Sequence, residues 1–154
     1  VIDSVKEFAK DEYKVDIFKL ESPVDSRMLE SDITNETEKA FSDLAEATND
    51  KPWVVLSSGM DKDSFYKCLE LAYINGASGY LAGRTIWLDA FKNYPNIEKV
   101  EEGLKNTSVS YVKKLNELTA RNAQSLDTFF NNGFKIDNPE KFTKDFGGFE
   151  WLDI

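Results

Sequence analysis

Histidine is absent from the 154 residues of this chain, and cysteine occurs once, as Cys68. Without histidine, neither imidazole-based acid–base triads nor the usual zinc sites can be assembled. A lone cysteine excludes an intrachain disulfide and suits a reducing compartment, so a cytoplasmic location is expected. Positive charge is also scarce: 19 Lys and Arg face 28 Asp and Glu, for a formal net charge of −9 and a pI of about 4.6. No basic face for nucleic acid is visible. An anionic ligand would therefore need a local site rather than steering by the overall field. No run of about 18 apolar residues occurs, so neither a membrane span nor a signal peptide is expected. Against these absences stand 41% hydrophobic and 13% aromatic residues. That is too apolar for a disordered acidic chain and enough for one ordinary domain with a core.

The chain opens on Val1 rather than methionine and enters a helical pattern at once, so it is expected to be part of a longer polypeptide. Ile2, Val5, Phe8 and Ala9 predict an amphipathic helix over 2–10. Val15–Glu21 reads as a strand, and "SPVDSRMLESDITN" as a loop. Ala40, Phe41, Leu44 and Ala45 predict a helix over 36–48, and "KPWVVLSSG" a second strand ending at Gly59. Asp61 or Asp63 can cap the next helix, whose Phe65, Leu69 and Ala72 share a face and which stops before Gly76. "SGYLAGR" is a short third strand, and "RTIWLDAF" a further helix.

Strands separated by helices of this length must run parallel, because each crossover returns the chain in the same direction. Three parallel strands fall short of an eight-stranded α/β barrel of about 250 residues. Either the rest of the chain completes the fold in helices, or half of a barrel is missing. Val109, Val112, Leu115, Leu118 and Leu126 predict a long helix after Asn106 or Thr107. The Phe-rich end of the chain, with Gly147, Gly148 and Trp151, reads as an irregular tail packing its aromatics on a neighbouring surface. The expected organisation is one partial domain over 1–154: half-barrel βα units over 1–92, helices over 93–132 and the tail over 133–154.

Lys19 is the unexpected residue, because it interrupts the most apolar strand. Side chains alternate along a strand, so Val15, Ile17, Lys19 and Glu21 share one face, and Asp16, Phe18 and Leu20 the other. If Phe18 and Leu20 pack under helices, Lys19 faces the crevice, near the strand end where α/β folds place their active sites. A lysine held away from water becomes a nucleophile for carbonyls, which is Schiff-base chemistry. A lysine that snorkels outward or pairs with Glu21 is the plainer reading. At the ends of the next two strands lie Ser57, Ser58 and Gly59, and then Gly83 and Arg84. Small hydroxyls, backbone amides and a guanidinium at a helix start converge well on a phosphate. Cys68, Trp53 and Trp87 read more simply as packing residues, and the charge runs as solvated faces.

"VDIFKLESPV", "VVLSSGM" and "GASGYLAGRTIW" resemble, in order and spacing, the C-terminal half of the tagatose-1,6-bisphosphate aldolase family, over roughly residues 1–92. The last of these stretches also resembles the aldolase that cleaves a sulfonated fructose phosphate. The resemblance implies a class I, metal-free and cofactor-free aldolase on an α/β (β/α)8 barrel. This chain would supply strands six to eight with their helices. It implies that Lys19 forms the Schiff base and that Ser57 and the Gly83–Arg84 pair bind a substrate phosphate; Glu21 is on the correct face to assist but is not the family's main proton carrier. The implied partners are a phosphorylated ketose or dihydroxyacetone phosphate. The family's other acid–base residues lie on the first five strands, which this chain would lack. The missing half, or a second copy, is then expected to cover the barrel edges. Two alternatives remain open: a transaldolase with the same lysine chemistry, and a non-catalytic α/β anion-binding or assembly domain.

Overall fold

The computed structural model describes residues 1–130. The predicted tail over 133–154 lies outside the described residues. Helix α1 (Ile2–Phe8) leads through a 3-10 turn to strand β1 (Phe18–Leu20). The short α2 (Arg27–Glu30), α3 (Asn35–Ala47), β2 (Trp53–Leu56), α4 (Lys62–Ile74), β3 (Gly79–Leu81) and α5 (Arg84–Phe91) follow. Then come α6 (Ile97–Gly103), a π-helical turn over Leu104–Ser108 and α7 (Val109–Asn122). The strands form one parallel sheet in the order β1-β2-β3. The alternation of helices and strands and the strand direction therefore match the expectation, with α2 as an addition.

Cap chemistry sets several boundaries. Thr34 Oγ1 accepts from Thr37 N at the start of α3, and Asp61 Oδ1 accepts from Asp63 N and Ser64 N at the start of α4. The end of α4 is closed by Gly76, whose φ of +83° suits glycine, with Gly76 N donating to Tyr73 O and Ala77 N to Ala72 O.

The pairing register puts Phe18 beside Trp53, and Leu20 beside Val55 and Tyr80, on one face of the sheet. That face carries the core: Phe18, Leu20, Trp53 and Val55 are buried with Phe41, Leu44, Phe65, Leu69 and Leu115 from the helices. Phe65 of α4 meets Tyr80 edge-on at 6.1 Å. The opposite face brings together Lys19, Val54 and Gly79, with Leu56 beside Leu81 one pleat further on. It is open: Ile17 is 39% and Leu81 46% exposed. All-parallel sheets ordinarily have both faces covered, so this sheet is half-dressed.

Some boundaries differ from the sequence reading. β1 is three residues rather than seven, because only Phe18–Leu20 pairs with β2. The expected loop after it contains α2, whose Leu29 is fully buried and whose C-terminal carbonyls, Glu30 O and Ser31 O, accept from Lys67 Nζ. Leu126 is not on α7, because Ala123 turns extended and Gln124 N then donates to Ala77 O. α7 buries Tyr111, Leu115 and Leu118 against the core, while Val109 is exposed.

Candidate functional site

The C-terminal ends of β2 and β3 build a small two-loop structure. After β2, Ser57–Met60 makes a tight turn: Met60 N donates to Ser57 O, and the two central residues, Ser58 and Gly59, have φ of +47° and +80°. Glycine adopts such angles freely, and a serine there is held by its surroundings. One end of the turn is tied to β3, where Ser57 N donates to Leu81 O. The other end is tied to α5, where Thr85 Oγ1 donates to Met60 O at 2.6 Å. Between these ties the Arg84 side chain lies across Gly59. A Cβ on Gly59 would sit 3.2 Å from Arg84 Nη2 and 3.3 Å from Cζ.

These residues surround a cavity of about 460 Å³, lined by Glu21, Ser57–Gly59, Leu81–Arg84 and Trp87. Ser57 is only 5% exposed and lines this cavity. Arg84 makes no ion pair among them and is the one cationic side chain lining this cavity. Gly83 begins α5 without a side-chain cap. The first amides of α5 therefore look for an acceptor from outside. A guanidinium, serine hydroxyls and open backbone donors at strand ends suit a doubly charged oxyanion.

All five residues singled out for phosphate, Ser57, Ser58, Gly59, Gly83 and Arg84, come together here, with Glu21 at the margin. Glu21 also lines two adjoining hollows. One, of about 240 Å³, is walled by Ser22, Val24, Ser26 and Met60. The other, of about 390 Å³, runs along β1 and is lined by Lys19, Ile17 and residues of α1. Lys19 thus stands in a neighbouring hollow, joined to the cavity through Glu21. It points onto the open sheet face as its strand position requires, and it makes no ion pair with Glu21. The burial expected around Lys19 is not present, since Lys19 is exposed on the bare face. Among the described residues no cluster of three or more His, Cys, Asp or Glu could hold a metal ion, and no helix is long and apolar enough to cross a membrane.

Two residues that the sequence reading left as packing or passed over belong to this site. Trp87 is 38% exposed and lines the cavity, its indole Nε1 3.8 Å from where a Gly83 Cβ would be. Its position one turn into α5, on the face of Gly83, was the available signal. Thr85 is 6% exposed and supplies the tie to Met60. Cys68 is fully buried, and burial pushes its thiol up to about 12, as a packed core thiol should behave.

Residues 1–89 match the family described as "DeoC/LacD family aldolase". Among curated proteins, the chain is 34% identical over 138 residues to tagatose 1,6-diphosphate aldolase 2 of Enterococcus faecalis, covering 81% of this chain and 41% of that protein. It is 30% identical over 135 residues to tagatose 1,6-diphosphate aldolase 1 of the same organism, covering 82% and 42%. It is 31% identical over 137 residues to tagatose 1,6-diphosphate aldolase of Staphylococcus haemolyticus, covering 81% and 42%. The likeness therefore runs well past residue 92, where it was expected to fade. The chain spans about two-fifths of the length of these relatives.

Proposed function

The chain belongs to the DeoC/LacD aldolase family, and from that premise we propose that it carries the covalent lysine and the phosphate grip of a class I aldolase acting on a phosphorylated ketose. The observation that carries this reading is the Arg84 guanidinium laid across Gly59, in a cavity that Ser57 also lines and that adjoins the hollow of Lys19.

In the proposed reaction the phosphate lies against Arg84, Ser57 and the amides of Ser58, Gly59 and Gly83. It holds the ketone of the same molecule toward Lys19. The Lys19 amine adds to C2, water leaves, and an iminium forms. Loss of a proton from the C4 hydroxyl then breaks the C3–C4 bond, with its electron pair drawn into the iminium as an enamine. An aldehyde departs. Protonation of the enamine at C3 and addition of water release dihydroxyacetone phosphate and restore the amine. In this reading Glu21, which lines both hollows, accepts a hydroxyl hydrogen of the substrate. The iminium supplies the polarisation that a divalent ion supplies in metal-dependent aldolases.

We further propose that residues 1–92 form the last three βα units of an eight-stranded barrel, with the following helices packed outside. The open sheet face and the exposed Phe8, Tyr13, Trp87, Leu88 and Phe91 at its flanks favour this reading. The five strands still required would come from more polypeptide, or from a second copy that covers the edges.

The exposure of Lys19 favours one rival reading, an anion-binding domain in which Lys19 is only structural. Borohydride reduction in the presence of dihydroxyacetone phosphate, followed by peptide mass mapping, separates the two. The expected result is a reduced adduct on Lys19, in this chain or once the remaining strands are supplied. No adduct in either form refutes the Schiff-base reading and leaves the anion-binding domain.

A further inference from the structure

Thr85 is the second residue of an eight-residue helix. A threonine inside a helix commonly turns its hydroxyl back to a carbonyl three or four residues earlier. So near the helix start Thr85 reaches instead across to the other loop, where its hydroxyl donates to Met60 O at 2.6 Å. The side chain is 6% exposed. Its acceptor ends the Ser57–Met60 turn, whose central Ser58 sits at a positive φ that serine does not choose unaided. Next to Thr85 in the chain is Arg84, whose guanidinium lies on Gly59 within that same turn. The hydrogen bond therefore closes a ring: Arg84 lies against the turn at Gly59, and Thr85 holds the end of the turn at Met60.

We propose that Thr85 is a positioning residue of the anion grip, whose hydroxyl locks the Ser57–Met60 turn to α5 so that the Ser57 hydroxyl and the Arg84 guanidinium face the same anion. This inference rests on reading the cavity as a phosphate site, and it assigns a role to a side chain that touches no ligand itself. Without the tie, the turn is still joined to β3 through Ser57 N and Leu81 O, so the fold persists while the spacing of the two donors relaxes.

The test uses the chain with inorganic phosphate as probe, followed by ³¹P line broadening, in wild type, Thr85→Val, Thr85→Ser and Thr85→Ala. Thermal unfolding without phosphate runs alongside. Thr85→Val keeps the shape and removes the hydroxyl, and it should weaken phosphate binding about fivefold, the change that one neutral hydrogen bond supports. Thr85→Ser should bind within about twofold of wild type on the same reasoning. Thr85→Ala removes the same hydroxyl without a β-branch and replaces the valine variant should that one fail to fold. Because Thr85 acts through the turn and Arg84, its effect should largely vanish in an Arg84→Lys background. Wild-type binding by either hydroxyl-free variant overturns the proposal, and so does weak binding in the serine variant. A fall in unfolding temperature with unchanged phosphate affinity overturns it as well. If wild type itself does not bind phosphate, the reading of the cavity fails first, and the proposal with it.

Discussion

Replacing Gly59 by alanine should damage the anion site far more than it damages the fold, and Gly76 provides the control. Both glycines hold nearly the same backbone angle, +80° at Gly59 and +83° at Gly76. A Cβ in this left-handed region costs about 1–2 kcal/mol wherever it is placed. The surroundings differ. At Gly76 the new methyl would meet only Gln124 Oε1, 3.0 Å away at the end of a flexible side chain. At Gly59 it would meet the Arg84 guanidinium at 3.2 Å. An ordinary contact needs about 3.5–4.0 Å, so the guanidinium must retreat by about 0.3–0.8 Å. A donor displaced by the larger of these amounts leaves hydrogen-bonding range, and by the smaller it is stretched to the edge of it. Much of a charged hydrogen bond worth about 1.5–3 kcal/mol is then lost, which is about tenfold or more in phosphate affinity. Urea midpoints should therefore fall together in Gly59→Ala and Gly76→Ala, while isothermal titration with phosphate separates them. Equal phosphate affinities in the two variants would refute the placement of Arg84 in the grip.

Two further outcomes follow from the titrating groups. Burial raises the Asp61 carboxyl, but hydrogen bonds from Ser64 and Asp63 more than reverse this, and it lies below its ordinary 3.8. Its charge therefore stabilises α4 above that ordinary value, and the contribution is lost as pH falls further through the lowered folded value. The difference in urea midpoint between wild type and Asp61→Asn should be steady near neutrality and shrink toward zero in strong acid; a difference that is flat down to pH 2 contradicts the assignment. The Cys68 thiol, pushed up to about 12 by burial, should resist iodoacetamide at pH 8 in the folded chain and react on unfolding in urea. Mass spectrometry that finds native-state alkylation at the rate of a free thiol would show that α4 opens far more readily than its packing implies.

The parallel order of the strands could be read from the sequence because each strand alternates and each intervening segment has a helical period. The lysine face followed from the same alternation, since Phe18 and Leu20 had to be the buried pair. Convergence of Ser57–Gly59 with Gly83–Arg84 was legible too, because neighbouring parallel strands place their C-terminal loops side by side. What escaped is non-local or subtle. The bond from Thr85 to Met60 joins residues with no shared pattern. Trp87 looked like packing because a tryptophan on an amphipathic helix usually is. Leu29 lies in a polar stretch with no period, so nothing marked α2. The exposure of Lys19 depends on what covers the inner face of the sheet, which no residue within the strand encodes.

The π-helical turn over Leu104–Ser108 imposes a constraint of length rather than of composition. It joins α6, which packs on α5 where Gly103 meets Ala90, to α7, which buries Tyr111, Leu115 and Leu118 and packs on α4. A π turn holds one residue more than an α turn, and each residue rotates a helix by about 100°. The surplus residue is the phase adjustment that lets two stripes on one continuous rod aim at two different neighbours. Ser108 secures it at the far end by donating to Ile86 O of α5. Substitutions at the exposed Lys105, Asn106 and Thr107 change little as long as the count stands. Deleting a single residue would rotate the whole α7 stripe off the core.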